Sequence, residues 1–301
     1  MKLSKNLLVA CHLMAAALVL NYSAACGKKP SAPAPEAAAP AAAPEAKSEG
    51  AAAPAAPAAA PAAAPAAAAG GKGSIKGKVS FTGTAPAMAD INRDADPFCA
   101  KTKMKDQEVV LNPNNTLKNV AITITAGAPA APAPEEVAKM EIDQSNCMYS
   151  PRVITGVSGQ NFNIVNSDPI LHNVHTYAGA KTLFNRAQPK GSPAIDKSFA
   201  KDDGNVIKFK CDVHPWMTGW LVLSDNAYNA VTGDSGEFEI KDLPPGKYTI
   251  QAWQEKFGPK TMEVTVEDGK AADANFSYDG SEKVAYQFKE VDISPIMNMS
   301  H

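Results

Sequence analysis

From Ser74 onward the chain is written mostly in a period of two. Ser74-Ile-Lys-Gly-Lys-Val-Ser-Phe81 is apolar at alternate positions and runs into Thr-Gly-Thr-Ala-Pro, which predicts a strand and a turn. Gln107 to Leu111 and Asn119 to Thr125 predict two more strands around an Asn/Pro turn. A Pro-rich break follows, with a short helical piece predicted near Glu135 to Ala138. A strand near Val153 and the alternating Asn161-Phe-Asn-Ile-Val165 come next, and residues 178–201 read as polar loop. Asn205-Val-Ile-Lys-Phe-Lys-Cys211 resumes the alternation, with Ile207, Phe209 and Cys211 on one face and Lys208 and Lys210 on the other. Gly219 to Ser224 predicts a further strand, and Thr232 to Ile250 reads as strand, Pro-Pro-Gly turn and strand. Thr261 to Glu267 and Asn275 to Tyr278 complete the pattern. The fold class expected is all-β.

Before Ser74 the pattern is of another kind. Lys2 and Lys5 precede an apolar run from Leu7 to Leu20 and then small residues up to Cys26, which predicts a secretory signal peptide over 1–25. The run is too short and wrongly flanked for a stable membrane span. Residues 26–72 are almost entirely Ala and Pro with a few Glu, Lys and Gly, so they cannot bury a core and predict a disordered tether. Ser-Ala-Ala-Cys26-Gly resembles the box at which bacterial lipoproteins are cleaved and acylated, with Ser23 departing from the usual Leu. Ordinary cleavage after Ala25 is the alternative. The expectation is an exported protein, periplasmic or in the cell envelope, that touches membrane only through a lipid on Cys26. The formal net charge of −2, with no long run of either sign, argues against nucleic acid as a partner.

The candidate chemistry is concentrated in two stretches. Cys211-Asp-Val-His-Pro-Trp-Met217 places a thiol, an imidazole and a thioether at C-x2-H-x2-M spacing, and Leu171-His-Asn-Val-His175 adds imidazoles upstream. Of the five histidines, only His12 and His301 fall outside these stretches. Sulfur ligands combined with imidazoles select copper, and two His, one Cys and a weak axial Met form the ligand set of blue-copper electron carriers. Single residues of these types are usually structural; the two stretches together are not well explained that way. No second His cluster, paired ligand-loop cysteines or Ser/His/Asp set is visible, so an enzyme is not expected.

Pro-Ile-Leu-His172-Asn-Val-His175 followed by Cys211-Asp-Val-His214-Pro-Trp-Met217 resembles the cupredoxin family, most closely its amicyanin type with a short Cys-x-x-His-Pro-aromatic-Met loop. The resemblance implies one type 1 copper held by His172, Cys211, His214 and Met217. It implies that Asn173 ties the two ligand loops together and that His175 is a neighbour, or the ligand if the register of His172 is wrong. His214 would be the imidazole at the solvent edge through which electrons pass. Pro215 and Trp216 would form an apolar docking surface for redox proteins such as cytochromes, as donor and acceptor, with ordinary core packing the alternative for Trp216. With Cys11 removed in the signal peptide, Cys211 taken by metal and Cys26 by lipid, an oxidising compartment leaves Cys99 and Cys147 to pair as a disulfide.

Gly77-Lys-Val-Ser-Phe-Thr-Gly, Leu117 to Ile124 and Gly236 to Tyr248 resemble instead the halves of a prealbumin-like, carboxypeptidase-regulatory-like β-sandwich. The expected organisation is therefore that sandwich over 73–127 and 229–279, a Greek-key cupredoxin sandwich inserted over 128–228, and a tail over 280–301. A single larger sandwich is the alternative. The function expected is single-electron transfer through Cu(II)/Cu(I). The alternative is copper binding or delivery, or a surface scaffold, without redox shuttling.

Overall fold

The computed structural model describes residues 72–131 and 134–282. The expected signal peptide, the tether up to residue 71, Cys26 and the tail beyond residue 282 lie outside the described residues. Within them, seventeen strands and three 3-10 turns account for all regular structure, so the fold is all-β. None of the described helices is long and apolar enough to cross a membrane.

The chain opens with β1 (Gly73–Phe81) and, after a long irregular segment, β2 (Ala121–Ala126). It then builds β3 (Met140–Ser145), β4 (Met148–Ser150), β5 (Val153–Val157), β6 (Asn161–Asn166) and β7 (His172–Ala178). β8 (Lys181–Gln188), β9 (Ile195–Ser198), β10 (Val206–Lys210) and β11 (Thr218–Ser224) follow. The remaining strands are β12 (Asn229–Val231), β13 (Glu237–Leu243), β14 (Gly246–Gln254), β15 (Gly258–Val266), β16 (Ala271–Asp273) and β17 (Phe276–Tyr278).

Pairing sorts these strands into two sandwiches. The first stacks β13-β1-β16, with β17 also on β1, against β12-β2-β14-β15. Its core holds Ile75, Val79, Ile122, Ile124, Ile240 and Ile250, the inward positions of the alternation. The second stacks β5-β11-β10-β7-β8 against β4-β3-β6-β9, around Ile142, Phe162, Ile164, Val174, Ile207, Phe209 and Leu221. Each such side chain contributes about 1.5–3 kcal/mol by leaving water. The chain thus leaves the first sandwich after β2, builds the second, and returns at β12.

Two sequence expectations are corrected here. Gln107 to Leu111 forms no strand; only an isolated bridge joins Leu111 to Leu117. The segment folds back on its own turn, with Lys118 N donating to Val110 O and Asn112 N to Thr116 O, and it is Thr116 on the far side of that turn that bridges to Ser80 of β1. Residues 178–201 are not loop but contain β8 and β9, the outer strands of their sheets. β8 is exposed along most of its length, so its side chains carry no alternation, and backbone pairing to β7 alone makes it a strand. The short piece near residue 135 is a 3-10 turn, Pro134–Glu136.

The sandwiches meet along Ala121, Val153, Trp220, Val222 and Trp253. Beside this seam Arg152 makes a two-pronged ion pair with Glu255, at 2.6 and 2.8 Å, and Trp220 Nε1 donates to the same carboxylate at 2.7 Å. A buried charge pair needs this many partners to offset its desolvation.

Candidate metal centre

β7 and β10 are neighbours in one sheet, and each delivers a candidate ligand at one end. His172 is the first residue of β7 and Cys211 the first after β10. The period of two directs Val174 and His172 inward on one strand, and Ile207, Phe209 and Cys211 inward on the other. Tyr149 braces both strands at these ends, its hydroxyl sharing a proton between Asn173 O and Lys210 O at 2.9 and 3.0 Å. Gly219 leaves room for that ring, since a Cβ there would stand 3.0 Å from Tyr149 Cβ. After Cys211 the chain turns tightly, Met217 N donating to His214 O at 2.9 Å, and enters β11.

This turn closes a triangle of donor atoms. Cys211 Sγ lies 3.9 Å from His172 Nδ1 and 3.8 Å from His214 Nδ1, and the two nitrogens are 2.9 Å apart. His172, Cys211, His214 and Met217 are each at most 2% exposed. Cys211 and Met217 belong to the same core cluster. A thiolate and two imidazole nitrogens converging in a dry pocket suit a copper or zinc ion.

The far nitrogens of both rings face carboxylates. His172 Nε2 is 2.8 Å from Asp168 Oδ2, and His214 Nε2 is 3.5 Å from Asp96 Oδ2. At 2.8 Å, Asp168 keeps the proton of His172 on Nε2 and leaves its Nδ1 as the donor. Asp168 is itself held by the backbone N–H groups of Asn146 and Cys147, both at 2.7 Å. On the sulfur side, Asn173 N donates to Cys211 Sγ at 3.5 Å.

Electrostatics follow from these contacts. Burial alone would depress the His172 imidazole, but Asp168 and the Cys211 sulfur raise it to about 9. Burial would raise the Cys211 thiol, yet His172 and the N–H groups of Asn173, His214 and Val213 hold it below its ordinary value. His214 is pushed down by burial and by the His172 charge, against the pull of Asp96. These contacts favour the charged forms of Cys211 and His172, and metal binding, which needs an unprotonated imidazole nitrogen, expels a proton.

The other expected residues are placed as follows. Asn173 lies between the ligand stretches, accepting from Asp212 N and donating to Asp212 Oδ2 at 2.9 Å. His175 stands outside the triangle. Its parity on β7 is opposite to that of His172, and its ring binds Asp212 and Thr182 and stacks on Tyr177. Pro215 is exposed and Trp216 half-buried. The Trp216 ring lies 5.2 Å from that of His214, and its Nε1 donates to Cys147 O at 3.1 Å. Cys99 and Cys147 form a disulfide, Cα atoms 5.8 Å apart.

One implied role is corrected. His214 is not at a solvent edge; it is 2% exposed, covered by Trp216 and by the segment that carries Asp96. Sequence reasoning also passed over Asp168, Asp96 and Tyr149. Asp168 had a signal, since it precedes His172 by one strand-entry turn. Asp96 had none: it comes from the irregular stretch before β2, far away in sequence.

Comparison with known proteins adds the following. Residues 221–278 match the carboxypeptidase regulatory-like domain family. That match runs from within β11 to β17, so its first residues lie in the second sandwich. A comparison with curated proteins returns no match. Among solved structures, the reduced state of an amicyanin point mutant is 25% identical with a TM-score of 0.26, over 34% of this chain and 98% of the other. Amicyanin from Paracoccus versutus is 21% identical with a TM-score of 0.26, over 34% and 97%. A purple cupredoxin from Nitrosopumilus maritimus is 23% identical with a TM-score of 0.25, over 28% and 99%.

Proposed function

We propose that this chain is a mononuclear type 1 copper protein that passes single electrons between redox partners and turns over no substrate. The observation that carries the reading is the buried triangle of Cys211 Sγ, His172 Nδ1 and His214 Nδ1. Met217, buried in the same cluster, would add a thioether to the donor set, which favours copper over zinc, for which thioethers are poor ligands. The ion, cycling between Cu(II) and Cu(I), would supply the redox chemistry. The protein's part is to keep the donors still: Tyr149 and Asn173 brace the two ligand stretches, and Asp168 fixes the His172 ring. Depth of burial favours retention of the metal over its delivery.

Export to an oxidising compartment agrees with the Cys99–Cys147 disulfide, and a lipid on Cys26 would hold the head at a membrane. The partners would be redox proteins such as cytochromes. Cu(II)-loaded protein is expected to show an intense thiolate charge-transfer band that disappears on reduction. Cys211→Ala should abolish it and His172→Ala should disturb it. A colourless zinc protein, or Cu(I) binding without reversible cycling, would favour the binding or delivery reading instead.

A further inference from the structure

Asp96 sits outside the inserted sandwich in sequence, yet its carboxylate reaches the centre. Its Oδ1 accepts from Phe98 N at 2.7 Å and from Cys99 N at 3.1 Å, which holds the side chain against its own 3-10 turn. The other oxygen, Oδ2, is left to face His214 Nε2 at 3.5 Å. The turn that carries it is fastened in two ways. Cys99 is bonded to Cys147, and Arg93 donates to Thr102 O at 3.0 Å and to Asn146 O.

The same disulfide reaches the other ligand ring. Cys147 N donates to Asp168 Oδ2, the atom that faces His172 Nε2. Each half of the disulfide thus gives its backbone N–H to the carboxylate behind one of the two imidazoles. One covalent link registers both supports.

We propose that Asp96 is a positioning residue of the metal centre, which orients His214 and shields its outer nitrogen from water. This rests on the copper reading above. A carboxylate behind an imidazole raises its basicity and favours the more highly charged Cu(II). It follows that the His214 ring, sealed on its outer edge, is not where a partner makes contact. The half-exposed Trp216 and exposed Pro215 beside it are the nearest accessible groups of the ligand loop.

Two measurements test the role of Asp96. In metal-free, disulfide-intact protein, nitrogen NMR of the His214 ring should show a slowly exchanging Nε2 proton, and Asp96→Ala should speed that exchange at least about tenfold. In copper-loaded protein, Asp96→Asn should weaken Cu(II) binding by roughly tenfold and raise the reduction potential. Asp94→Asn, on an exposed neighbour, should change neither. Unchanged exchange in Asp96→Ala, or unchanged affinity and potential in Asp96→Asn, overturns the assignment. If the wild-type protein gives no thiolate band with copper, the copper reading fails, and the exchange measurement still decides whether Asp96 positions His214.

Discussion

Asn173 and Asp212 hold each other across the two ligand stretches. The Asp212 N–H donates to Asn173 Oδ1, and the Asn173 amide donates back to Asp212 Oδ2 at 2.9 Å. Asn173 follows His172 directly and Asp212 follows Cys211, so this reciprocal pair sets the distance between the first imidazole and the thiol. Asn173→Ala leaves the Asp212 N–H unpaired, while His175 and Asn185 still reach the Asp212 carboxylate, at a cost of about 1–3 kcal/mol. Urea titration of the metal-free protein should read that loss, with a broadened thiolate band in the copper form.

Asp168 gives a pH dependence of definite sign. Burial would raise its carboxyl, but His172 and the N–H groups of Cys147 and Asn146 hold it below the ordinary value. A depressed carboxyl contributes stability above its unfolded pKa of about 3.9, which is lost as pH falls towards the folded value. His172, raised to about 9, contributes stability below its unfolded value of about 6.5, which is lost as pH rises through about 9. Metal-free protein should therefore show a stability plateau between about pH 4 and 6.5 from this pair. Asp168→Asn should lower that plateau and flatten the acid limb, measured as Tm against pH.

The seam between the sandwiches depends on Arg152 and Glu255, whose side chains are 8% and 4% exposed. Glu255→Ala leaves the Arg152 guanidinium without its carboxylate and removes one hydrogen bond of Trp220 Nε1, for a loss of about 3–5 kcal/mol. Exchanging both residues for apolar ones of similar volume should cost much less. If chemical denaturation finds the single and double variants equally destabilised, the pair is not acting as a buried charge couple.

Removing the disulfide by Cys99→Ser with Cys147→Ser should lower stability by about 2–4 kcal/mol. It should also loosen the cover on His214, so that Trp216 fluorescence becomes more accessible to a neutral quencher. Wild-type quenching in the double variant would show that Arg93 and packing hold the cover without the bond.

Much of this protein was written locally. The alternation through Ile207, Phe209 and Cys211 is a property of the strand itself, so the inward direction of the sulfur follows from the sequence. So does the tight C-x2-H-x2-M turn, because its donors lie within one loop. Cysteine arithmetic reached the Cys99–Cys147 bond because few cysteines were left to pair. Strand parity could equally have placed His175 on the face opposite His172.

What only the tertiary structure decided is what surrounds those ligands. β8 is a strand because β7 offers it a backbone edge, whereas Gln107 to Leu111 meets only the other side of its own turn, and Thr116 takes the open end of β1. His214 is sealed because a turn far away in sequence, fastened by Cys99 and Arg93, lays Asp96 against its outer nitrogen. Ligand type and spacing are short-range properties of the chain. Exposure, and the charge behind each ligand, depend on which distant segments the fold brings alongside.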